Sequence, residues 1–266
     1  MSFFVVHRNG RAATTEELAP LAFAGYAHFT AMQVRDGRVR GLDLHLDRLR
    51  SASVELFGRA LPDDRVRSFL RTALDDGPAD VSLTATVSSP AGEFTAGTAA
   101  EPDVLVRTGP PATGPAGPLT LAISEHERFL PAVKHVGEVA KTYLLHQAIA
   151  EGADDAAFVD RRGRFSEGTI WNLAFWDSTS VVWPEAAMLR GTTMGIVARQ
   201  LNRLGLPQRV REITRADLPS LAGAAVMNSW TPGVAVHRIG SVPVPEAPSF
   251  LALLHRAYQE EPLTAP

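Results

Sequence analysis

Lys134 and Lys141 are the only lysines in a chain of 266 residues; the rest of its 26 basic residues are arginine. Arginine carries a surface charge as well as lysine does. It cannot give up its proton near neutral pH, whereas a lysine amine can, and can then attack a carbonyl once its surroundings lower its pKa. A chain that writes arginine almost everywhere and lysine twice invites the reading that an amine is needed. Lys134 follows the apolar run Phe129-Leu130-Pro131-Ala132-Val133, a flank suited to desolvating it. It is the candidate nucleophile, although residue type alone leaves open a lysine kept on a solvated face. Lys141 opens a helix-like run and is read as such a solvated lysine.

A lysine that holds pyridoxal phosphate through a Schiff base needs three companions. A carboxylate must face the pyridine nitrogen and keep it protonated, so that the ring can accept electrons when a Cα bond breaks. Backbone N–H groups at a helix start must face the phosphate. An arginine or hydroxyls must complete the phosphate cup. Each has a candidate. Glu167 lies in Arg164-Phe165-Ser166-Glu167-Gly168-Thr169-Ile170-Trp171-Asn172, after a strand and turn. Thr192 and Thr193 follow Leu189-Arg190-Gly191 where a helix begins. Ser229 and Thr231 lie in Met227-Asn228-Ser229-Trp230-Thr231-Pro232-Gly233, after another strand. Taken singly, each has an ordinary alternative: a loop carboxylate, a helix cap, a turn residue.

Behind these candidates stand the elements that must position them. Strands are predicted at Phe3–His7, Tyr26–Val34 and Arg38–Arg40, with turns at Asn9-Gly10 and Asp36-Gly37. Leu42, Leu46, Leu49, Val54 and Phe57 repeat at helical spacing over Asp43–Phe57, and Gly58 ends the helix. A second helix covers Asp63–Leu74, and strands follow at Val81–Val87 and Val104–Val106. Residues 108–118, rich in proline and glycine, join neither helix nor ladder. Past them come strands at Leu119–Ile123, Ala156–Val159, Trp171–Trp176, Val181–Trp183, Val210–Ile213, Ala224–Met227 and Val234–Val236. Helices are predicted at Lys141–Glu151, Met194–Leu204 and Ser249–Tyr258, with a short one starting at Thr214 and Asp217. The mixture lacks the strict alternation of a doubly wound sheet, which predicts an α+β fold in two domains. The expected division is a small N-terminal α/β domain at 1–108, a linker at 109–118 and a larger, β-rich cofactor domain at 119–266.

Composition narrows the function classes. The chain is 45% hydrophobic and 21% charged, with a net charge of −3. That balance carries no footprint of nucleic-acid or membrane-surface binding. No stretch approaches the roughly 18 apolar residues of a membrane span, and the N-terminus shows no export pattern. With no cysteine, disulfides, thiolate zinc sites and cysteine nucleophiles are excluded. A cytoplasmic protein is expected. The eight histidines form no His-x-x-x-His or His-x-His pair, so no metal is expected, and no Gly-x-Ser-x-Gly elbow supports a serine hydrolase.

The pieces taken together resemble the class IV pyridoxal-phosphate aminotransferase family, fold type IV, which includes branched-chain and D-amino-acid aminotransferases and aminodeoxychorismate lyase. The matching segments are residues 29–37, His45-Leu46-Asp47-Arg48-Leu49, Val133-Lys134-His135, Gly152 to Ala156 with Asp160 and Gly163, Glu167 to Leu173, Leu189 to Thr193, and Asn228-Ser229. The resemblance implies pyridoxal 5'-phosphate held on Lys134, which also shuttles the Cα proton. It implies Glu167 at the pyridinium, Arg48 on the phosphate from the first domain, Thr192, Thr193 and Ser229 closing the cup, and Asn172 supporting them. It further implies a small amino or keto substrate and a homodimer, and it treats His45 as a structural histidine. An aminotransferase is the expected activity; a lyase releasing pyruvate to leave 4-aminobenzoate, and a non-catalytic ligand-binding descendant, are the alternatives. Departures from the family bear on the substrate, among them the bulky Trp171 and Trp230 in otherwise matching loops. The family often has a tyrosine five positions after the lysine, where this chain has Val139. It often has an Arg-Gly segment near the end of the first domain, where this chain has Ser88-Ser89-Pro90-Ala91-Gly92-Glu93-Phe94.

Overall fold

The computed structural model describes residues 5–94 and 100–266. In chain order the elements are β1 (Val6–Arg8), β2 (Arg11–Ala12), α1 (Thr15–Leu18), β3 (Ala27–Arg35), β4 (Arg38–Arg40), α2 (Leu42–Phe57), α3 (Asp63–Asp75), β5 (Val81–Ser88), β6 (Asp103–Gly109) and β7 (Leu119–Glu125). They continue with α4 (Val139–Ala150), β8 (Asp155–Val159), β9 (Phe165–Gly168), β10 (Asn172–Trp176), β11 (Val181–Pro184), α5 (Thr192–Arg203), β12 (Gln208–Arg211), β13 (Gly223–Asn228), β14 (Thr231–Ile239), β15 (Val242–Pro243), α6 (Pro248–Gln259) and β16 (Leu263–Thr264). The α+β class stands. Phe3 and Phe4 of the first predicted strand lie outside the described residues; the strand they were to open runs over Val6–Arg8. Among the described residues no helix is long and apolar enough to cross a membrane.

The chain forms two compact units. One holds Met1–Ala112 with Val133–Gly137 and Pro262–Pro266; the other holds Thr113–Ala132 and Glu138–Glu261. The chain thus re-enters the first unit twice after residues 109–118. Both returns are made by backbone pairing, which no side-chain pattern announces. Val136 N–H donates to Ala27 and Phe29 N–H to Lys134, laying the lysine segment along the first half of β3. The last residues pair with β4 as β16.

The first unit is a seven-stranded sheet in the order β16-β4-β3-β5-β6-β1-β2. Its alternation is clean: Val81, Leu83, Ala85 and Val87 face inward on β5 while their neighbours are half-buried. Helices α2 and α3 cover that inner face with Leu42, Leu46, Leu49, Val66, Phe69 and Leu70. Gly58 closes α2 in the left-handed conformation expected of a terminal glycine.

The second unit is a nine-stranded sheet, β12-β11-β10-β13-β14-β7-β8-β9, with β15 attached to β14. Strand β9 pairs with β10 as well as β8, so β10-β13-β14-β7-β8-β9 closes on itself. One core, including Leu121, Phe165, Leu173, Phe175 and Val226, lies among these strands; a second packs α5 and α6 against β10, β11 and β13. Strand β9 is not predicted from the sequence, where Glu167 reads as a loop residue. All four of its residues are buried, so it shows none of the alternation that marks a half-exposed strand.

Candidate active site

Glu167 is the third residue of β9 and is buried. A sharp turn sets its position. Gly168 N–H donates to the Trp171 carbonyl, and Asp155 ties the turn down through the Thr169 hydroxyl (2.6 Å) and the Trp171 indole N–H (2.9 Å). This places Asn172 directly opposite Glu167 on β10.

Asn172 carries the arrangement onward. Its Nδ2 donates to the Leu189 carbonyl (2.7 Å) and its Oδ1 accepts from Gly191 N–H (2.9 Å), fixing the loop that enters α5. A Cβ on Gly191 would collide with that same Oδ1, so the position requires glycine. Helix α5 then begins at Thr192 with no side chain capping it. Its first N–H groups therefore face outward with no carbonyl above them, an anion site by construction. The Thr192 hydroxyl is buried and has no hydrogen-bond partner. A polar atom in that state costs free energy unless something fills its place. Thr193 differs: its hydroxyl donates to the Asn228 carbonyl (2.8 Å), tying the helix start to the end of β13 beside Ser229. What Thr193 can still offer an anion is its backbone N–H. Ser229 is half-buried, next to Trp230, whose ring meets Trp171 edge-on at 6.0 Å. Glu167, Asn172, Thr192, Thr193 and Ser229 thus belong to one unit, and Asn172 links the carboxylate to the helix start.

Lys134 and Arg48 belong to the other unit. Lys134 is half-buried, with Nζ 4.8 Å from the centre of the Phe29 ring. Arg48 is half-buried on α2, one turn after His45. His45 is buried, its Nδ1 2.6 Å from the Thr30 hydroxyl; burial, with the charge of Arg48 adding to it, pushes its pKa down to about 3. A histidine held neutral by its surroundings fits the structural role expected of it.

Two residues of the carboxylate site were missed. Arg128 Nε donates to Glu167 Oε1 (2.8 Å), and Lys141 Nζ lies 3.3 Å from Oε2. Arg128 also pairs with Glu138 through Nη1. Lys141, expected on a solvated face, is instead buried, with Nζ 5.8 Å from the centre of the Phe158 ring. Burial lowers its pKa first, and Arg128 adds to that, against the opposing pull of Glu167 and Glu138. The signal for Lys141 was its rarity, the same signal that singled out Lys134. Arg128 had none, being one arginine among many. Val139 is exposed, and so is Tyr143, whose Oη accepts from Gln147.

The profile described as "Amino-transferase class IV" matches residues 27–239. No curated protein matches the sequence. Solved structures share the fold over nearly the whole chain. A branched-chain amino acid aminotransferase from T.th., complexed with N-(5'-phosphopyridoxyl)-L-glutamate, is 19% identical with a TM-score of 0.80, covering 97% of each chain. The branched-chain aminotransferase of Thermoproteus uzoniensis, with norvaline, is 18% identical with a TM-score of 0.82, covering 99% of each. The 4-amino-4-deoxychorismate lyase of Pseudomonas aeruginosa is 20% identical with a TM-score of 0.78, covering 96% of this chain and 98% of that one.

Proposed function

The chain belongs to the class IV aminotransferases, and from that premise we propose that it is a pyridoxal-phosphate enzyme moving an amino group between an amino acid or amine and a keto acid, with Lys134 as its catalytic lysine. The observation that carries this reading is the pairing, within one unit, of a buried carboxylate with a helix start whose first hydroxyl is buried and unpartnered. Such a pair would suit the two ends of a pyridine ring bearing a phosphate. The residues present fit the group. Thr192, the N–H groups of Thr192 and Thr193, and Ser229 would hold its phosphate, and the family likeness implies that Arg48 adds a charge. Glu167 would face its ring nitrogen. When bound, the cofactor supplies an electron sink for the bonds at the substrate's Cα.

The protein's own part is to bind, orient and move protons. Lys141 is committed to the Glu167 carboxylate. Lys134 would be the amine for the aldehyde, the role the family likeness implies for it. Lys134 would take the Cα proton and return it elsewhere, which calls for an amine able to be neutral. Glu167, held between Arg128 and Lys141, would be the group that faces the ring nitrogen. We further propose that the enzyme works in the cytoplasm, which suits a chain free of cysteine, and that it is a homodimer, as the family likeness implies.

The test is a visible spectrum of purified protein with added cofactor, followed by borohydride reduction and mapping of the modified residue. Modification of Lys134 is expected; a spectrum with no cofactor band would overturn the reading. Supplying 4-amino-4-deoxychorismate separates the lyase alternative, which the Pseudomonas aeruginosa likeness keeps in view. Pyruvate and 4-aminobenzoate formed without an amino acceptor would replace the aminotransferase reading for that substrate.

A further inference from the structure

The carboxylate assigned to the ring nitrogen already has cations on both of its oxygens. Arg128 takes Oε1 and Lys141 takes Oε2, with Arg128 also held by Glu138. In these ion pairs Arg128 and Lys141 face Glu138 and Glu167, two positive charges against two negative. A ring nitrogen that becomes charged against Glu167 adds a third positive charge to a buried group. The side chains of Arg128, Lys141 and Glu167 are each at least 94% buried, and water cannot screen that excess.

Something in the cluster has to yield, and only one member can. An arginine keeps its proton under all ordinary conditions. Lys141 is placed so that it need not. It is buried, it shares Glu167 with a guanidinium, and it lies in the first turn of α4, where the helix's own N–H groups disfavour a cation. The other titratable group facing it is His126, packed edge-on against Phe158 at 4.8 Å and disfavoured as a cation by burial, with the charge of Lys141 adding to that. The negative charges of Glu167 and Glu138 are what keep Lys141 charged, and a charged ring nitrogen would claim the first of them. The composition agrees. A chain that uses arginine at nearly every basic position keeps lysine here, where only a cation able to lose its charge would serve.

We infer that Lys141 is a positioning residue that gives up its proton when the cofactor's ring nitrogen becomes charged against Glu167. The N–H bond at Lys141 Nζ breaks and a proton passes to Glu167 Oε2, 3.3 Å away, and on to the ring nitrogen. Lys141 ends neutral, Glu167 ends ionised, and no other reactant is consumed. This rests on the pyridoxal-phosphate reading above.

The test is calorimetric binding of pyridoxal 5'-phosphate to cofactor-free protein, in two buffers of different ionisation enthalpy, for wild type, Lys141→Met and Lys141→Arg. Lys141→Met removes the yielding proton, so wild type takes up about one proton fewer than this variant on binding. Lys141→Arg keeps a charge that cannot be lost. It matches Lys141→Met in proton count but binds the cofactor weaker than wild type by about tenfold, while Lys141→Met binds at least as tightly as wild type. A lysine that merely props the fold would change neither the proton count nor the order of affinities. Equal proton counts in wild type and Lys141→Met, or Lys141→Arg binding as well as wild type, overturns the inference. If one variant does not fold, the other against wild type still decides it. Wild type that binds no cofactor at all overturns the proposed function, and this inference with it; binding with unaltered proton counts overturns the inference alone.

Discussion

The two lysines stand in opposite surroundings. Lys134 lies on a segment paired along β3, half-buried, with an aromatic ring at its amine. Lys141 lies in a helix start, buried, with its amine on a carboxylate shared with Arg128. The difference teaches that rarity marks a residue without naming its task. One amine is assigned to covalent chemistry, and the other is committed to an ion pair. Flanking sequence hinted at the first and was silent about the second, because the carboxylate Lys141 pairs with comes from position 167 and the guanidinium that shares it from position 128.

The sharpest way to break this comparison is to remove each amine in turn. Lys134→Met is expected to abolish borohydride-fixed cofactor and to lower turnover by at least about 10³-fold, whereas Lys141→Met keeps the covalent label. Labelling that follows Lys141 instead would reverse the assignment of roles. Next in size is Glu167→Ala, which strands the buried Lys141 and leaves the buried Arg128 its pair with Glu138. Chemical denaturation should show a loss of about 3–5 kcal/mol, against less than about 1 kcal/mol for Lys134→Met. If the two variants unfold alike, the ion pair of Lys141 is not what distinguishes the sites.

Two smaller changes sharpen the picture at the helix start. Gly191→Ala forces a methyl onto Asn172 Oδ1. It should cost on the order of 2 kcal/mol in thermal or chemical unfolding and impair cofactor retention as well. Thr192→Val removes a hydroxyl that has no protein partner. Cofactor-free protein should be as stable as wild type or more so, while the dissociation constant for pyridoxal 5'-phosphate rises by about fivefold to tenfold. A stability loss without an affinity loss would show that the hydroxyl serves the fold rather than a phosphate. The smallest effect is one of pH. Burial holds His28 at about 4 and His45 at about 3, both below the ordinary 6.5. Their neutral forms favour the folded state, so that stability is complete above about pH 6.5 and drains away as pH falls toward those values. A melting temperature followed from pH 7.5 to 4.5 should decline, and less steeply in His45→Gln.

Much of the fold was legible. Helix α2 showed its apolar stripe and its terminal glycine, and β5 its alternation, because each has one wet face. Strand β9 did not, since both its faces are dry and a buried strand has no polar beat to read. The returns of Val133–Gly137 and Pro262–Pro266 to the first unit were hidden for a different reason: they are made by backbone hydrogen bonds, which any residue can supply. At the candidate site, Asn172 was expected as a support, and both ends of its amide hold the loop that enters α5. Thr192 and Thr193 read as a like pair, yet one hydroxyl is unpartnered and the other is used on Asn228. Which of two neighbouring threonines turns inward depends on the helix's rotation against β13, a quantity that local sequence does not carry.

The seven-stranded sheet ends at β2 on one side and β16 on the other, each only two residues long. Hydrogen-bonding groups left open at a sheet's margin are what a second chain recruits when it aggregates. Margins this short offer almost nothing to recruit, and the other sheet ends in β12, which carries Arg209 and Arg211 among its four residues. Among the described residues, the sheet margins should therefore add little to aggregation when the protein is concentrated without its ligand.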